Sequence, residues 1–208
     1  MLKLRLLADY CAHRLKAKTR HGVHSPFVYH LVDQVIYNFS NVGEFLVLEN
    51  EYKNILDVNS IKKIAKKAKN LTSIFSHSFD SPALAWLMHR LVAHVAPCRV
   101  IELGVSLGRT SAYINQVNIA EKPNAADFVW INENYGTLET RSYLDQNLPL
   151  LSEGSVIVLD AIYRTKQRKQ LWQYIKACPR VTVTVDLFWL GLAIVRSTQA
   201  EEHFKIKF

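Results

Sequence analysis

Glycine, cysteine and long apolar runs are all scarce in this sequence. Only seven of the 208 residues are glycine, about half of the roughly 7% that is usual, so few loops can bring the backbone close to a nucleotide or phosphate. The three cysteines are odd in number and widely spaced, which excludes a disulfide framework and favours a reduced, cytoplasmic protein. The longest uncharged apolar run, residues 187–195, is far short of the roughly 20 residues of a membrane helix. We therefore expect no membrane partner.

The composition is that of an ordinary globular protein. Apolar residues make up 49% of the chain and charged residues 21%, which excludes a disordered polymer. The N-terminal stretch carries Asp9 and His13 among its apolar residues and has no small-residue cleavage site, so it predicts a helix and not a signal peptide. We expect two parts, a helical N-terminal extension over residues 1–95 and an α/β domain over residues 96–208.

The chain carries a formal net charge of +8, and a basic surface can attract nucleic acid or anionic substrates. Five lysines fall within residues 62–69. In the same segment Ile61, Ile64 and Leu71 recur at helical spacing, so these lysines are typical of a solvated helix face. No nucleic-acid-binding motif or aromatic platform accompanies the charge. A nucleic-acid partner is therefore not our expectation.

The first 95 residues predict helices. Ser25-Pro26 and Ser81-Pro82 each place a capping residue before a proline, which is typical of a helix start. The amphipathic spacing and these start signals predict helices over residues 2–18, 26–38, 44–56, 60–70 and 82–94.

After Pro97 the apolar residues occur in short runs that are typical of strands buried on both faces. These runs cover residues 99–103, 127–131, 155–159, 181–187 and 191–196, with a helix expected over 166–177. Buried runs separated by helices indicate a mostly parallel, Rossmann-like α/β sheet. The last two runs, broken near Gly191, predict an antiparallel hairpin.

The most informative segment is VIELGVSLGRTSAY, residues 100–113. A strand ends at Leu103, Gly104 and Gly108 bracket a turn, and a helix follows. Such a turn lets a ligand approach the backbone and the free N–H groups of a helix N-terminus. The pattern lacks the Lys-Ser/Thr of a P-loop, and by itself it is also compatible with a simple strand–helix turn.

Several segments together resemble the bacterial class I S-adenosylmethionine (SAM)-dependent methyltransferases, in the subgroup similar to small-molecule O-methyltransferases. The segments lie in the family's order along nearly the whole chain: RHGVHSPFVYHL (20–31), the loop at 100–113, DFVWINENY (127–135), SVIVLDAIY (155–163), VTVTVDLFWLGLAIVR (181–196) and HFKIKF (203–208). The resemblance implies a Rossmann-like methyltransferase sheet and a cofactor, SAM. It also implies that SAM is held by Glu102, Gly104, Ser106 and Gly108, with Asn132 and Asp160 as the catalytic positions near the transferred methyl group.

The segment between the glycine loop and the DFV strand is shorter in this chain than in the family. The family has a second and a third strand with their helices between the glycine loop and the DFV strand, which needs roughly 60 residues. Here Gly108 and Asp127 are only 19 positions apart. We therefore expect both strands to be missing and VNIAE (117–121) to continue the preceding helix. The missing strands leave the first strand at an edge, which we expect the N-terminal helices or a second subunit to cover. The rerouted connection also requires a local rearrangement, whose handedness stays open.

The polar residues of the family pattern have changed as well. Asn132 stands where an Asp is usual, Glu133-Asn134-Tyr135 replaces Gly-x-His, and Ala161 replaces the acidic neighbour of Asp160. One Asp and one Asn are a poor set of ligands for Mg²⁺, so we expect no metal. The leading hypothesis is a degenerate methyltransferase homologue with weak or absent SAM binding, kept as an interaction protein.

Two other hypotheses stay open. One is an active enzyme that methylates a small hydroxylated molecule, and the other is a basic module that binds anions or nucleic acid. His21 and His24 could be acid–base groups, although a structural turn is the simpler interpretation. Asp186, inside an apolar run, is either a paired buried acid or a residue at a strand end. Phe188 and Trp189 are expected to pack at the hairpin.

Overall fold

The computed structural model describes residues 2–38, 40–55, 81–104, 108–117 and 124–208. The chain forms two compact units, and each is described by itself. The sheet unit comprises Met1–Asp33, Val95–Val105 and Ile119–Phe208, and the helical unit comprises Gln34–His94 and Ser106–Asn118. The expected division into a helical extension, residues 1–95, and an α/β domain, residues 96–208, stays a prediction.

The sheet unit contains a six-stranded mixed sheet among the described residues. Its strands are β1 (Pro97–Leu103), β2 (Asn124–Ile131), β3 (Val156–Asp160), β4 (Val181–Asp186), β5 (Leu190–Val195) and β6 (Glu202–Lys205). Their order across the sheet is β1-β2-β3-β5-β4-β6, and β5 alone runs against its neighbours. The α/β prediction is confirmed. β1 to β5 begin and end within three residues of the predicted runs.

The central strands are apolar because both of their faces are covered. Every residue of β3 and β5 is buried, as expected where a parallel sheet is covered on both sides. The predicted hairpin is present, with β4 and β5 antiparallel and Asp186 paired with Gly191.

β6 is an element that the sequence did not predict. It pairs in parallel with β4, and its outer edge is bonded to the chain after the first helix. Lys18 N donates to Lys205 O at 2.8 Å, and Lys207 N donates to Lys18 O at 3.0 Å. Four residues with one aromatic side chain are too short a pattern to indicate a strand, and this one depends on those distant partners.

The helices of the sheet unit are α1 (Leu2–Lys16), α2 (Pro26–Leu31), α6 (Thr137–Asn147) and α7 (Lys166–Lys176). α7 buries Arg168, Leu171, Trp172 and Ile175, the i, i+3, i+4, i+7 spacing of one helix face. It packs closely on β5, since a Cβ on Gly191 would lie 2.7 Å from Trp172 Cζ3.

The helix predicted over residues 26–38 is only partly correct. α2 ends at Leu31 and continues as a π-helical turn, Val32–Ile36. Pro26 is at the helix start as predicted, but the Ser25 side chain makes no capping hydrogen bond. Its hydroxyl instead accepts a hydrogen bond from Gln199 Nε2 at 2.9 Å.

The helical unit contains α3 (Val42–Ile55), α4 (Pro82–Val95) and α5 (Arg109–Asn115). One buried cluster of this unit contains side chains from all three helices: Leu48, Tyr52, Ala85, Trp86 and Tyr113. The prediction that the helix continues through VNIAE is wrong for Val117, because α5 ends at Asn115 with Gln116 as its C-cap. Residues 118–121 and the helix predicted over 60–70 lie outside the described residues.

None of the described helices has both the length and the apolar character that crossing a bilayer requires.

α1 makes its hydrogen bonds at the half of the sheet that is far from β1. His13 bonds to Asp186 at the end of β4, and Lys18 follows β6. β1 lies at the other end of the strand order. α1 is therefore not the helix expected over the side of β1 that faces away from β2. A cover by the other N-terminal helices or by a second subunit stays a prediction.

Candidate functional site

Three of the predicted site residues lie at one edge of the sheet. β1, β2 and β3 are parallel, with Leu103 paired to Ile131 and Ile131 paired to Leu159. Their carboxyl ends therefore meet at the same edge, where open α/β sheets bind ligands. Gly104 follows β1, Asn132 follows β2 and Asp160 ends β3. This edge is the candidate site.

Asp160 is a fully buried carboxyl group. Its Oδ2 accepts a hydrogen bond from Glu133 N at 3.1 Å, whereas Oδ1 has no hydrogen-bond partner among the described residues. Burial disfavours the charged form and raises the pKa of Asp160 well above its usual range, although Arg168 opposes this shift. The site thus contains a buried acid whose charged form is disfavoured by its surroundings.

Arg168 fixes the two strand ends next to this acid. Its Nε and one terminal nitrogen donate to Asp160 O at 3.1 and 2.6 Å, and the same terminal nitrogen donates to Ile131 O at 3.3 Å. The guanidinium therefore binds backbone carbonyls and leaves the carboxylate of Asp160 to other partners. Burial lowers the pKa of Arg168 to about 10. Arg168 lies in a segment of the sequence that is rich in basic residues. Only its helical spacing to Leu171 and Trp172 could have indicated that its side chain is buried.

Side chains of the same chain approach Gly104 on the side where a Cβ would lie. Its φ of +101° favours glycine. A Cβ built on it would lie 2.5 Å from Asn134 Oδ1, 3.1 Å from Asn132 Cβ and 3.2 Å from Tyr135 Cβ. The close approach that this glycine permits is thus made by residues 132–135 of the same chain.

The turn that approaches Gly104 is held by hydrogen bonds of Asn132. Its Oδ1 accepts from Asn134 N at 3.1 Å, and its carbonyl oxygen accepts from Tyr135 N at 3.1 Å. Asn132 N in turn donates to Leu103 O at 2.9 Å. Asn132 is itself buried, so here it serves as the organiser of a turn.

The other predicted cofactor residues are not brought together in one described site. Glu102 is an exposed residue of β1, paired in register with Trp130. Ser106 lies outside the described residues. Gly108 is the N-cap of α5 with φ −103° and ψ −174°, and it belongs to the helical unit. The roles that the resemblance implies for these three residues stay predictions.

Sequence reasoning missed a polar cluster, which we call the Asp186 cluster: the buried side chains of His13, Tyr163 and Asp186, with Lys205 at its partly exposed margin. His13 Nε2 lies 3.0 Å from both the carbonyl oxygen and Oδ1 of Asp186. Tyr163 OH donates to Asp186 Oδ2 at 2.6 Å, and Lys205 Nζ donates to Tyr163 OH at 3.1 Å. Asp186 is both the last residue of β4 and a paired buried acid. Both alternatives that the sequence left open are therefore correct.

The pKa values of the Asp186 cluster follow from these contacts. Burial alone would raise the pKa of Asp186, but the hydrogen bonds from His13 and Tyr163 outweigh it and lower the pKa below its usual range. Burial and the adjacent Asp186 raise the pKa of the Tyr163 hydroxyl. The cluster therefore joins α1 to the sheet through hydrogen bonds to the buried Asp186 carboxylate. Its only signal in the sequence was an acid within an apolar run.

Phe188 completes this cluster at the hairpin. Its ring stacks on Tyr163 with centroids 4.9 Å apart and an interplanar angle of 10°. Its backbone has a φ of +71°, and its N–H donates to Asp186 Oδ1 at 2.9 Å. Trp189 lies partly buried against the same core. Both aromatic residues thus pack at the hairpin, as predicted.

The helical unit contains a second ionic cluster, built on Glu49 of α3. Arg109 Nε lies 3.0 Å from Glu49 Oε2, and Tyr113 OH donates to the same oxygen at 2.6 Å. The Arg109 guanidinium stands 4.7 Å from the centroid of the Tyr52 ring. These contacts hold the first turn of α5 on α3. The sequence did not indicate the partnership, because Glu49 and Arg109 are 60 positions apart.

Histidines and carboxylates do not converge on a metal in the described part of the chain. No group of three or more His, Cys, Asp or Glu side chains there could hold an ion. His21 lies in a 3-10 turn, Arg20–Gly22, and both His21 and His24 are exposed.

No protein-family model matches this sequence, and no curated protein matches it.

Proposed function

We propose that this protein is a degenerate homologue of the class I SAM-dependent methyltransferases, with weak or absent SAM binding and a role in interactions. The family assignment comes from the ordered sequence segments that resemble it, and the α/β sheet is compatible with it. The loss of binding is inferred from what the substituted residues do in the structure.

The observation that carries this proposal is the position of Asn134 beside Gly104. In the family that the chain resembles, a glycine at the end of the first strand leaves room for the nucleoside of SAM. Here Asn134 Oδ1 lies 2.5 Å from the position that a Cβ on Gly104 would take, and we infer that this side chain occupies that room. Asn134 belongs to the segment that departs from the family pattern, and Asn132 stabilises the turn that carries it.

The strand order supports the same conclusion. Ligand sites in open α/β sheets form where the strand order reverses. Among the described strands β1 is the terminal one and pairs with β2 alone. The reversal that would place a cofactor beside the first strand is therefore not made by the described strands.

Isothermal titration calorimetry with SAM tests the proposal. We expect no saturable binding up to about 1 mM SAM, which corresponds to a binding free energy weaker than about −4 kcal/mol. Saturable binding at low micromolar SAM that is lost in Gly104→Val would show that the cofactor site is intact. Circular dichroism of the variant excludes unfolding as the cause of a loss.

One observation favours the alternative of an active methyltransferase. Asp160 is buried at the strand ends, and its Oδ1 has no hydrogen-bond partner among the described residues. A carboxyl group in this state could bind a hydroxyl group of a small substrate. Transfer of a labelled methyl group from SAM to a panel of small hydroxylated molecules, lost in Asp160→Asn, would establish this alternative and overturn the degenerate assignment.

A further inference from the structure

The helix α1 is apolar on two opposite faces. Its inner face packs on the sheet unit through Leu6 and Tyr10, which are partly buried, and through His13, which is buried. At 100° per residue, the residues opposite this face are Leu4, Ala8, Cys11 and Leu15. All four are exposed. A surface helix normally presents polar residues on the outer side, so the outer face of α1 requires an explanation.

The leucines of this outer face are unusually open to solvent. The exposed fraction is 74% for Leu4 and 87% for Leu15, and Leu7 at the flank is exposed to 44%. Leu4 and Leu15 are eleven positions apart, so the outer face extends over roughly 16 Å along the helix. A single exposed leucine is common, but an aligned set of them marks a contact surface.

Cations flank the outer face, and the acid of α1 is turned away from it. Arg14 and Lys16 are exposed on the two sides of the leucines. Asp9, the acidic residue of α1, points to the inner side and binds Lys169 Nζ at 2.6 Å. The outer face therefore combines apolar side chains with positive charge alone. A second copy of the same face would bring like charges together, so charge disfavours a symmetric dimer at this surface.

We infer that the outer face of α1 docks on an anionic lipid surface. This replaces the expectation of no membrane partner, because that expectation considered only a segment long enough to span a bilayer. Leucines on one face and basic residues beside them are the composition of helices that lie in the plane of a membrane interface. The long side chains of Arg14 and Lys16 can reach lipid phosphates while the leucines enter the acyl boundary. The outer face is a convex ridge of separate side chains, which fits a deformable lipid plane better than the shaped groove of an acidic protein. This contact is peripheral and independent of SAM binding.

Co-flotation of the full chain with lipid vesicles tests the inference. We expect binding to phosphatidylcholine vesicles that contain phosphatidylglycerol, and at least about tenfold weaker partitioning to phosphatidylcholine alone. Leu15→Glu should weaken binding to the anionic vesicles by at least about tenfold, since it places a carboxylate at the lipid contact. Because Leu15 is 87% exposed, this substitution leaves the core intact.

Leu138→Glu is the matched control. Leu138 lies on α6, is 81% exposed, and receives the same change in charge and apolar surface. It should bind vesicles like the unmodified chain, whereas Arg14→Gln with Lys16→Gln should bind anionic vesicles less tightly. Absence of binding to anionic vesicles at low salt would overturn the inference. Equal losses in Leu15→Glu and Leu138→Glu would also overturn it. So would a dimer seen by sedimentation that Leu15→Glu dissociates while vesicles stay unbound.

Discussion

Removal of the Asp186 carboxylate should destabilise the sheet unit more than any surface substitution. Asp186 is buried and accepts from Tyr163 OH at 2.6 Å, Phe188 N at 2.9 Å and His13 Nε2 at 3.0 Å. Each bond to a charged acceptor contributes about 1.5–3 kcal/mol, and these values do not add fully. Breaking a buried charged contact by removal of one partner costs about 3–5 kcal/mol. We expect Asp186→Ala to lower the free energy of unfolding by about 4 kcal/mol.

Tyr163→Phe should cost less, about 2 kcal/mol, because it removes one of these donors and leaves the carboxylate with the others. Urea unfolding followed by tryptophan fluorescence measures both effects, since Trp130, Trp172 and Trp189 all lie in the sheet unit. At slopes of about 1–3 kcal/mol/M, a loss of 4 kcal/mol lowers the urea midpoint by about 1.3–4 M.

The pH dependence provides a second measurement of the same contact. The folded pKa of Asp186 is lowered, so its contribution is present above the ordinary aspartate pKa and is lost as the pH falls through the lowered value. The difference between Asp186→Ala and the unmodified chain should therefore shrink below about pH 4.

Glu201→Ala is the control for Asp186→Ala, because the Glu201 side chain is 65% exposed and pairs only with His203 at the surface in the described contacts. Its effect should stay within about 0.5 kcal/mol. If Asp186→Ala changes the urea midpoint no more than Glu201→Ala does, the buried Asp186 carboxylate does not stabilise the sheet unit, and the prediction is wrong.

Three further predictions concern other parts of the molecule. Gly104→Ala places a Cβ against Asn134 at φ +101°, which should destabilise the fold by about 1–3 kcal/mol and lower the thermal midpoint. Gly43→Ala is the control, because Gly43 lies in a helix with open space around its Cβ position, and this substitution should stabilise the fold by about 0.5–1 kcal/mol. Because the pKa of Asp160 is raised in the folded protein, the unmodified chain should lose stability as the pH rises above about 4. Asp160→Asn should remove this loss, and identical pH profiles of the free energy of unfolding for the two chains would contradict this. Glu49→Ala should cost about 1–3 kcal/mol in the helical unit, because it leaves the Tyr113 hydroxyl and Arg109 without their acceptor. Chemical denaturation should show this as a lower midpoint, and an unchanged midpoint would refute the Glu49 cluster.

The candidate site was only partly predictable. Gly104 was found at the end of a short apolar run, whereas Asn132 and Asp160 were named through the resemblance to the methyltransferase family. The structure brings the three to one edge of the sheet because parallel strands end there together. Arg168 and Asn134 were not found as parts of the site. In the sequence, an arginine that will be buried looks like the exposed basic residues beside it. The strands that the helix packs on decide which of them is buried. The turn that brings Asn134 against Gly104 likewise depends on two segments far apart in the chain.

By itself the sequence determined the α/β class, the strands β1 to β5 and most helix boundaries. These follow from local signals: periodicity, proline at a helix start, and apolar runs that need cover on both faces. Only the tertiary structure decided which polar residues become partners. β6 exists through its pairing with β4 and Lys18, and Asp186 is paired through His13, 173 positions away. The outer face of α1 could be separated from its inner face only by seeing which leucines the sheet unit buries, because both faces are apolar in the sequence.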